Sequence, residues 1–429
     1  MSAPADLIVR GSRQLITCAG GAPRRGPAQG ALETIAGGAV AVRGERILFA
    51  GPARELPDHV TTTPSTRIVD AADLTILPGF VDAHTHALFA GDRRDELRRR
   101  LAGETYADLA AAGGGILATV RATRAASEES LVAATRPRLD DMLRCGTTTC
   151  EIKSGYGLDL ETELRMLRAA RHLDREHPLD IVSTFMGAHE VPAEHRHDRD
   201  GYVREVVERM IPAVASEGLA DWCDVFCESG VFTPDESRDI LEAGGRHGLK
   251  PRIHADELGP SGGSQVAADV RARSADHLIF VPEAGIAALA RAGVTATLLP
   301  CAAFYLKLGR FAPARQLIDA GVPVALATDL NPGGGFSPSV PFAMTLACFS
   351  MGMTFEEALI AATVNAAWSL DLADGIGSLE PGKLADAVLV RGDAINLIRV
   401  GAPAIAGVMK RGRLFGAGTT NLEPGTWIR

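Results

Sequence analysis

Between residues 74 and 375 the chain alternates between short apolar runs and longer stretches whose apolar positions recur three or four apart. The short runs predict strands at Leu74–Asp82, Thr147–Ile152, Ile181–His189 and Trp222–Cys227. Four more are predicted at Lys250–Ala255, Ser274–Leu278, Thr295–Pro300 and Val322–Asp329. Helical spacing fills the intervals, as in Leu160–Leu173 and Gly201–Ile211. Eight strand–helix units in series predict an α/β fold, a TIM-like (β/α)8 barrel with a parallel sheet. An open doubly wound sheet is the alternative, but no G-x-G-x-x-G follows an early strand. The two ends carry a different rhythm. Short strands at Leu7–Val9, Ala39–Val42, Ile47–Phe49 and Ala387–Val390 are punctuated by turns such as Gly51-Pro52 and Glu380-Pro381-Gly382-Lys383. The organisation expected is a composite β-sandwich domain of residues 1–73 and 376–429 beside a barrel domain of 74–375.

Length agrees with two domains. A barrel takes ~250 residues, and the 429 residues leave room for a second, smaller unit. Net charge is −9 and no block of Lys or Arg suggests a nucleic-acid surface. No run approaches the ~20 apolar residues of a membrane span, and the first residues lack the pattern of a signal peptide. The expected setting is the cytoplasm, with a small molecule as partner and neither nucleic acid nor membrane. The densest basic run, Arg93 to Arg100, predicts a solvated helix face for Arg94, Arg98, Arg99 and Arg100. The seven cysteines contain no C-x-x-C pair, and Cys223 and Cys227, four apart in an apolar run, read as buried, reduced thiols.

Catalytic groups of such barrels gather at the C-terminal ends of the strands, which is where the metal-competent residues of this chain fall. His84 and His86 end the first strand in Pro78-Gly-Phe-Val-Asp-Ala-His-Thr-His86. Residues i and i+2 of a strand share a face, so both imidazoles can reach one ion. His254 ends the fifth strand, His277 the sixth and Asp329 the eighth. Glu257, three residues past His254, can turn back over the ion as a general acid and base, taking a proton from water and delivering it to a leaving nitrogen. A second H-x-H, His195–His197, lies in a charged loop and reads as solvated, as do His59, His172, His177 and His247.

This set, with H-x-H on strand one, H-x-x-E on strand five, His on strand six and Asp on strand eight, resembles the amidohydrolase superfamily. The bridging Lys that ends the fourth strand in its two-metal branch is missing from Phe226-Cys-Glu-Ser-Gly230, and Lys153 lies on the second strand. One ion, zinc or iron, is therefore expected per subunit. Within the superfamily the chain is similar to the imidazolonepropionases of histidine degradation. That similarity rests on Ile152-Lys-Ser-Gly-Tyr-Gly-Leu158, Thr184-Phe-Met-Gly-Ala-His-Glu-Val-Pro192, Asp224-Val-Phe-Cys-Glu-Ser-Gly-Val-Phe232 and Ala327-Thr-Asp-Leu-Asn-Pro-Gly333, and on the segment from His84 to Arg93.

The resemblance implies hydrolysis of the ring C–N bond of 4-imidazolone-5-propanoate to N-formimidoyl-L-glutamate by a metal-activated water, in a homodimer. It makes His84, His86, His254 and Asp329 metal ligands, and Glu257, His277 and Asp329 the catalytic groups. Arg93 would meet the substrate carboxylate, since a guanidinium fork suits a planar partner. Tyr156 and His189 would hold the ring and the propionate, with Glu257, Asn331, Gly333 and Gly334 completing the substrate contacts. The chain departs from the family at Gly334, where Ser or Thr is common, so any contact there must use the backbone N–H. The nearest rival is a one-metal deaminase acting on a formimino amino acid or a nucleobase. A scaffold barrel without catalysis is a further rival, but it predicts eroded ligands.

Overall fold

The computed structural model describes residues 3–104 and 113–416. Eight parallel strands form one sheet in sequence order: β1 (Phe80–Asp82), β2 (Thr147–Lys153), β3 (Asp180–Ala188), β4 (Trp222–Cys227), β5 (Lys250–Ala255), β6 (Ser274–His277), β7 (Thr295–Leu298) and β8 (Val324–Leu326). The ring closes through side-chain and loop hydrogen bonds. The Asp82 carboxylate accepts from the Thr328 amide (2.9 Å) and hydroxyl (2.6 Å). Just beyond, Asp329 N–H donates to His84 C=O and His86 N–H to Leu330 C=O. The seam between the first and last strands is thus stitched beside the H-x-H.

The helix Leu160–Glu176 shows how the sequence builds the outer layer. Asp159 caps it by accepting from Thr162 N–H. Leu164, Leu167, Ala170 and Leu173 recur at three-residue intervals and are buried. Glu163 on the same helix is also buried and accepts the amides of Gly155, Gly157 and Leu158. One helix therefore fixes the loop that carries Tyr156.

Leu74–Asp82, expected as a single barrel strand, divides at Gly79. Leu74–Pro78 pairs antiparallel with Ala387–Arg391 and parallel with Gln14–Ile16, in a six-stranded sheet that mixes both chain ends. A four-stranded sheet of N-terminal strands lies with it, and a core of Leu7, Val9, Val40, Leu389, Ala406 and Met409 joins the two ends. The break was invisible to periodicity because both halves are fully buried and equally apolar. All eight barrel strands expected from the sequence are present; the first begins six residues later, at Phe80, and the ends of the others differ by at most three residues. No helix among the described residues is long and apolar enough to cross a membrane.

Lys410 ties this β unit to the barrel. Its ammonium lies 2.7 Å from Asp180 at the start of β3 and 2.7 Å from Asp386, and its side chain is 2% exposed. Removing one partner of a buried pair costs about 3–5 kcal/mol, so Lys410→Met should lower the urea-unfolding free energy by that order. An unchanged unfolding midpoint would show that the junction contributes nothing.

Candidate metal centre and active site

His84, His86, His254, His277 and Asp329 converge at the C-terminal mouth of the barrel. The ligand atoms of His84, His254 and His277, and those of His84, His86 and Asp329, lie within 4.8 Å of one another. Asp329 Oδ1 is 3.7 Å from Nε2 of both His84 and His86, and His86 Nε2 is 3.3 Å from His254 Nε2. His277 (φ 74°) and Asp329 (φ 52°) both stand in the left-handed region, turning out of their strands.

These residues suit a cation on the evidence of their hydrogen bonds. His84 Nδ1 is held 2.7 Å from Asp276, and His254 Nδ1 is held 3.0 Å from Asp224. An imidazole that donates from Nδ1 to a carboxylate keeps a bare lone pair on Nε2. His84 Nε2 is fully buried and has no hydrogen-bond partner. Burial, and then neighbouring Lys153 and imidazoles, push the His84 ring well below the usual histidine range, so it stays neutral. Burial does the same to His86 and His277. The Asp329 carboxyl is pushed up to about 8, chiefly by burial, against the lowering pull of Asn331 and Lys153. Histidine nitrogens and a carboxylate that converge in this way are a divalent-ion donor set.

A cavity of about 270 Å³ opens above the cluster, lined by Arg93, Tyr156, His189, Glu257, Asn331, Gly333 and Gly334, with Ile116, Phe226 and Leu306 among its apolar walls. Glu257 is set by its own backbone: Glu228, at the end of β4, accepts the amides of Glu257 (3.1 Å) and Leu258 (2.9 Å). Glu257 Oε1 lies 3.6 Å from His277 Nδ1. His189 leans on His86 with ring centroids 4.9 Å apart, and its Nδ1 donates to Gly155 C=O. Gly155 (φ 96°) has to be glycine, since a Cβ there would sit 2.9 Å from that nitrogen. Burial lowers the His189 ring to about 3.

All the site residues expected from the sequence reach one cavity or the cluster beneath it, yet some are committed differently from the expectation. The Arg93 edge formed by Nε and Nη2 is already paired with Glu96 (2.8 and 2.7 Å), so a substrate carboxylate must share the guanidinium. The Asn331 side chain accepts from the amides of Gly333 and Gly334 and donates to Asp329 C=O. It therefore organises its own loop, and the Gly334 N–H expected to contact substrate is already bonded. Arg100 is not a plain solvated residue, because it donates to Gly333 C=O at 2.7 Å. His177 is buried against Asp140, whereas His195 and His197 are not buried, as expected. The seven cysteines are free, five of them buried.

Sequence reasoning missed Glu151, Lys153, Asp224, Glu228, Arg252 and Asp276, which orient the first group. The available signal was charge inside strands otherwise made of apolar residues, as in Cys150-Glu-Ile-Lys153.

A parallel eight-stranded barrel with a His/Asp cluster at its C-terminal mouth is the architecture of metal-dependent barrel hydrolases. The chain belongs to the amidohydrolase family, whose model matches residues 75–415. It is 49% identical over 415 residues to an imidazolonepropionase from Symbiobacterium thermophilum, covering 96% of this chain and 97% of that one. It is 51% identical over 386 residues to an imidazolonepropionase from Geobacillus kaustophilus, covering 89% and 91%. In three dimensions it is similar to a zinc-bound adenosine deaminase from Xanthomonas campestris, with a TM-score of 0.69 at 18% identity over 96% of this chain and 93% of the other. At that identity the likeness concerns the fold.

Proposed function

We propose that this chain is an imidazolonepropionase, which opens the ring of 4-imidazolone-5-propanoate by hydrolysis and yields N-formimidoyl-L-glutamate. The observation that carries the reading is that ligand atoms of His84, His254 and His277, and of His84, His86 and Asp329, converge below a cavity that also holds Glu257 and Arg93. About half of the residues are shared with imidazolonepropionases along nearly the whole chain, which supports it further. Zinc or iron, held by those four side chains at one ion per subunit, supplies Lewis acidity, making water ionise near neutral pH and polarising a carbonyl.

The chain's own groups do the rest. Arg93 draws the propionate to one end of the cavity, while Tyr156 and His189 hold the ring with its carbonyl carbon towards the cluster. His277 donates to the carbonyl oxygen as it gains charge. Glu257 takes the proton of the attacking water and hands it to the ring nitrogen as the C–N bond breaks, with Asp329 beside it as a second acceptor. The apolar walls Ile116, Phe226 and Leu306 limit the access of other water. This reading also takes residues 1–73 and 376–429, with Leu74–Pro78 added, as one β domain beside the barrel. It places the enzyme in the cytoplasm as a homodimer.

Hydrogen bonds to charged groups contribute about 1.5–3 kcal/mol, so Arg93→Ala should raise KM roughly 10- to 150-fold and change kcat much less. An unchanged KM would remove Arg93 from carboxylate recognition.

A further inference from the structure

The barrel interior beneath the cluster is polar where packed aliphatic layers are the rule. Lys153, at the end of β2, is fully buried, and its ammonium lies 2.7 Å from Glu151 and 2.7 Å from Asp224. Asp276 stands 3.9 Å from the same nitrogen. Each of these carboxylates has a second task. Asp224 holds His254 Nδ1, Asp276 holds His84 Nδ1, and Glu151 accepts the backbone amide of Thr85, the residue between His84 and His86. One cation therefore lies within 3.9 Å of the three carboxylates that hold the His84 ring, the His254 ring and the Thr85 amide.

Arg252, also fully buried, lies 3.3 Å from the same Asp276 oxygen, Oδ2, and donates to Ala83 C=O, next to His84. Two cationic side chains thus face three acidic ones in a fully buried interior. The surplus negative charge lies directly under the histidines, and a buried charge surplus is costly unless an ion of opposite sign answers it.

The geometry points to Lys153 as the positioning residue of the metal centre. Its ammonium locks Asp224, Asp276 and Glu151 into one network, and that network fixes which ring nitrogens of His84 and His254 face the ion. Lys153 does not touch substrate or ion, and its nitrogen is committed to carboxylates, so it does not serve as a bridging ligand. Without it Arg252 alone would answer these carboxylates, which would be free to rotate and release the imidazoles they hold. This inference rests on the metal-centre reading proposed above.

Zinc affinity, measured by chelator competition on the full-length protein, tests it together with the melting temperature before and after zinc is restored to chelator-treated protein. Loss of an outer partner typically weakens metal binding about 10- to 100-fold. Lys153→Met is expected to weaken zinc binding by that factor and to shrink the rise in Tm that zinc produces. If Lys153 only fills space, the variant will melt lower with and without zinc by the same amount, and its zinc affinity will stay within about threefold of the unaltered chain. That result overturns the proposal. Should Lys153→Met fail to fold, the near-isosteric Glu151→Gln decides: weaker zinc binding supports the network, and unchanged binding overturns it. If the unaltered chain itself binds zinc no better than a surface site, the metal-centre reading fails first and the positioning role falls with it.

Discussion

Glu257→Gln is expected to lower kcat by about 1,000-fold, the middle of the range that a positioned general acid–base contributes, while zinc or iron content stays at the level of the unaltered chain. The substitution keeps the size of the side chain and removes only its ability to accept and return a proton. Glu257 lies in the cavity wall and belongs to neither cluster of converging ligand atoms, so metal retention should be unaffected. Its backbone remains anchored by Glu228 whichever side chain it carries. Burial, then the nearby carboxylates of Asp329 and Glu228, raise the Glu257 carboxyl well above its usual range. A carboxyl raised in this way holds a proton more readily than an ordinary one, which suits a group that must accept and return it. Steady-state rates beside metal analysis check the outcome, and near-normal turnover in the variant would remove Glu257 as the proton carrier.

The second large effect concerns the ion. His254→Ala is expected to lose metal during purification and to lower activity by more than the roughly 100-fold that removal of an outer orienting partner costs. His254 is at once the histidine ligand that lies outside the H-x-H and the ring that Asp224 braces from below. Its removal takes one nitrogen from the cluster and leaves Asp224 with Lys153 as its remaining charged partner. Metal content by mass spectrometry reads the result. A variant that keeps a full, tightly held ion would show that His254 is not a ligand.

The barrel and the central part of the site were legible because they follow short-range rules. Strands announced themselves as apolar runs between helical stretches, and the topology of a parallel barrel places their last residues in one ring. His84, His86, His254, His277 and Asp329 could be read as neighbours for that reason alone. What stayed hidden depends on contacts between distant segments. The break at Gly79 separates two equally buried strands, and only pairing of Leu74–Pro78 with Ala387–Arg391 reveals it. Arg100 sits in a charged stretch that reads as solvated, yet Gly333, far along the chain, receives its hydrogen bond. The charged floor of Glu151, Lys153, Asp224, Arg252 and Asp276 left a trace in the sequence, as charges within apolar strands. Their partners, however, come from four different strands, and pairing of that kind is fixed only when the barrel closes.

Following the ultraviolet band of imidazolone-propionate together with free ammonia, in one reaction with the metal-loaded protein, tests hydrolytic ring opening most directly. Disappearance of the band with no ammonia released is the predicted result. Ammonia appearing in step with substrate loss, or a band that persists in the presence of fully metallated protein, would contradict it.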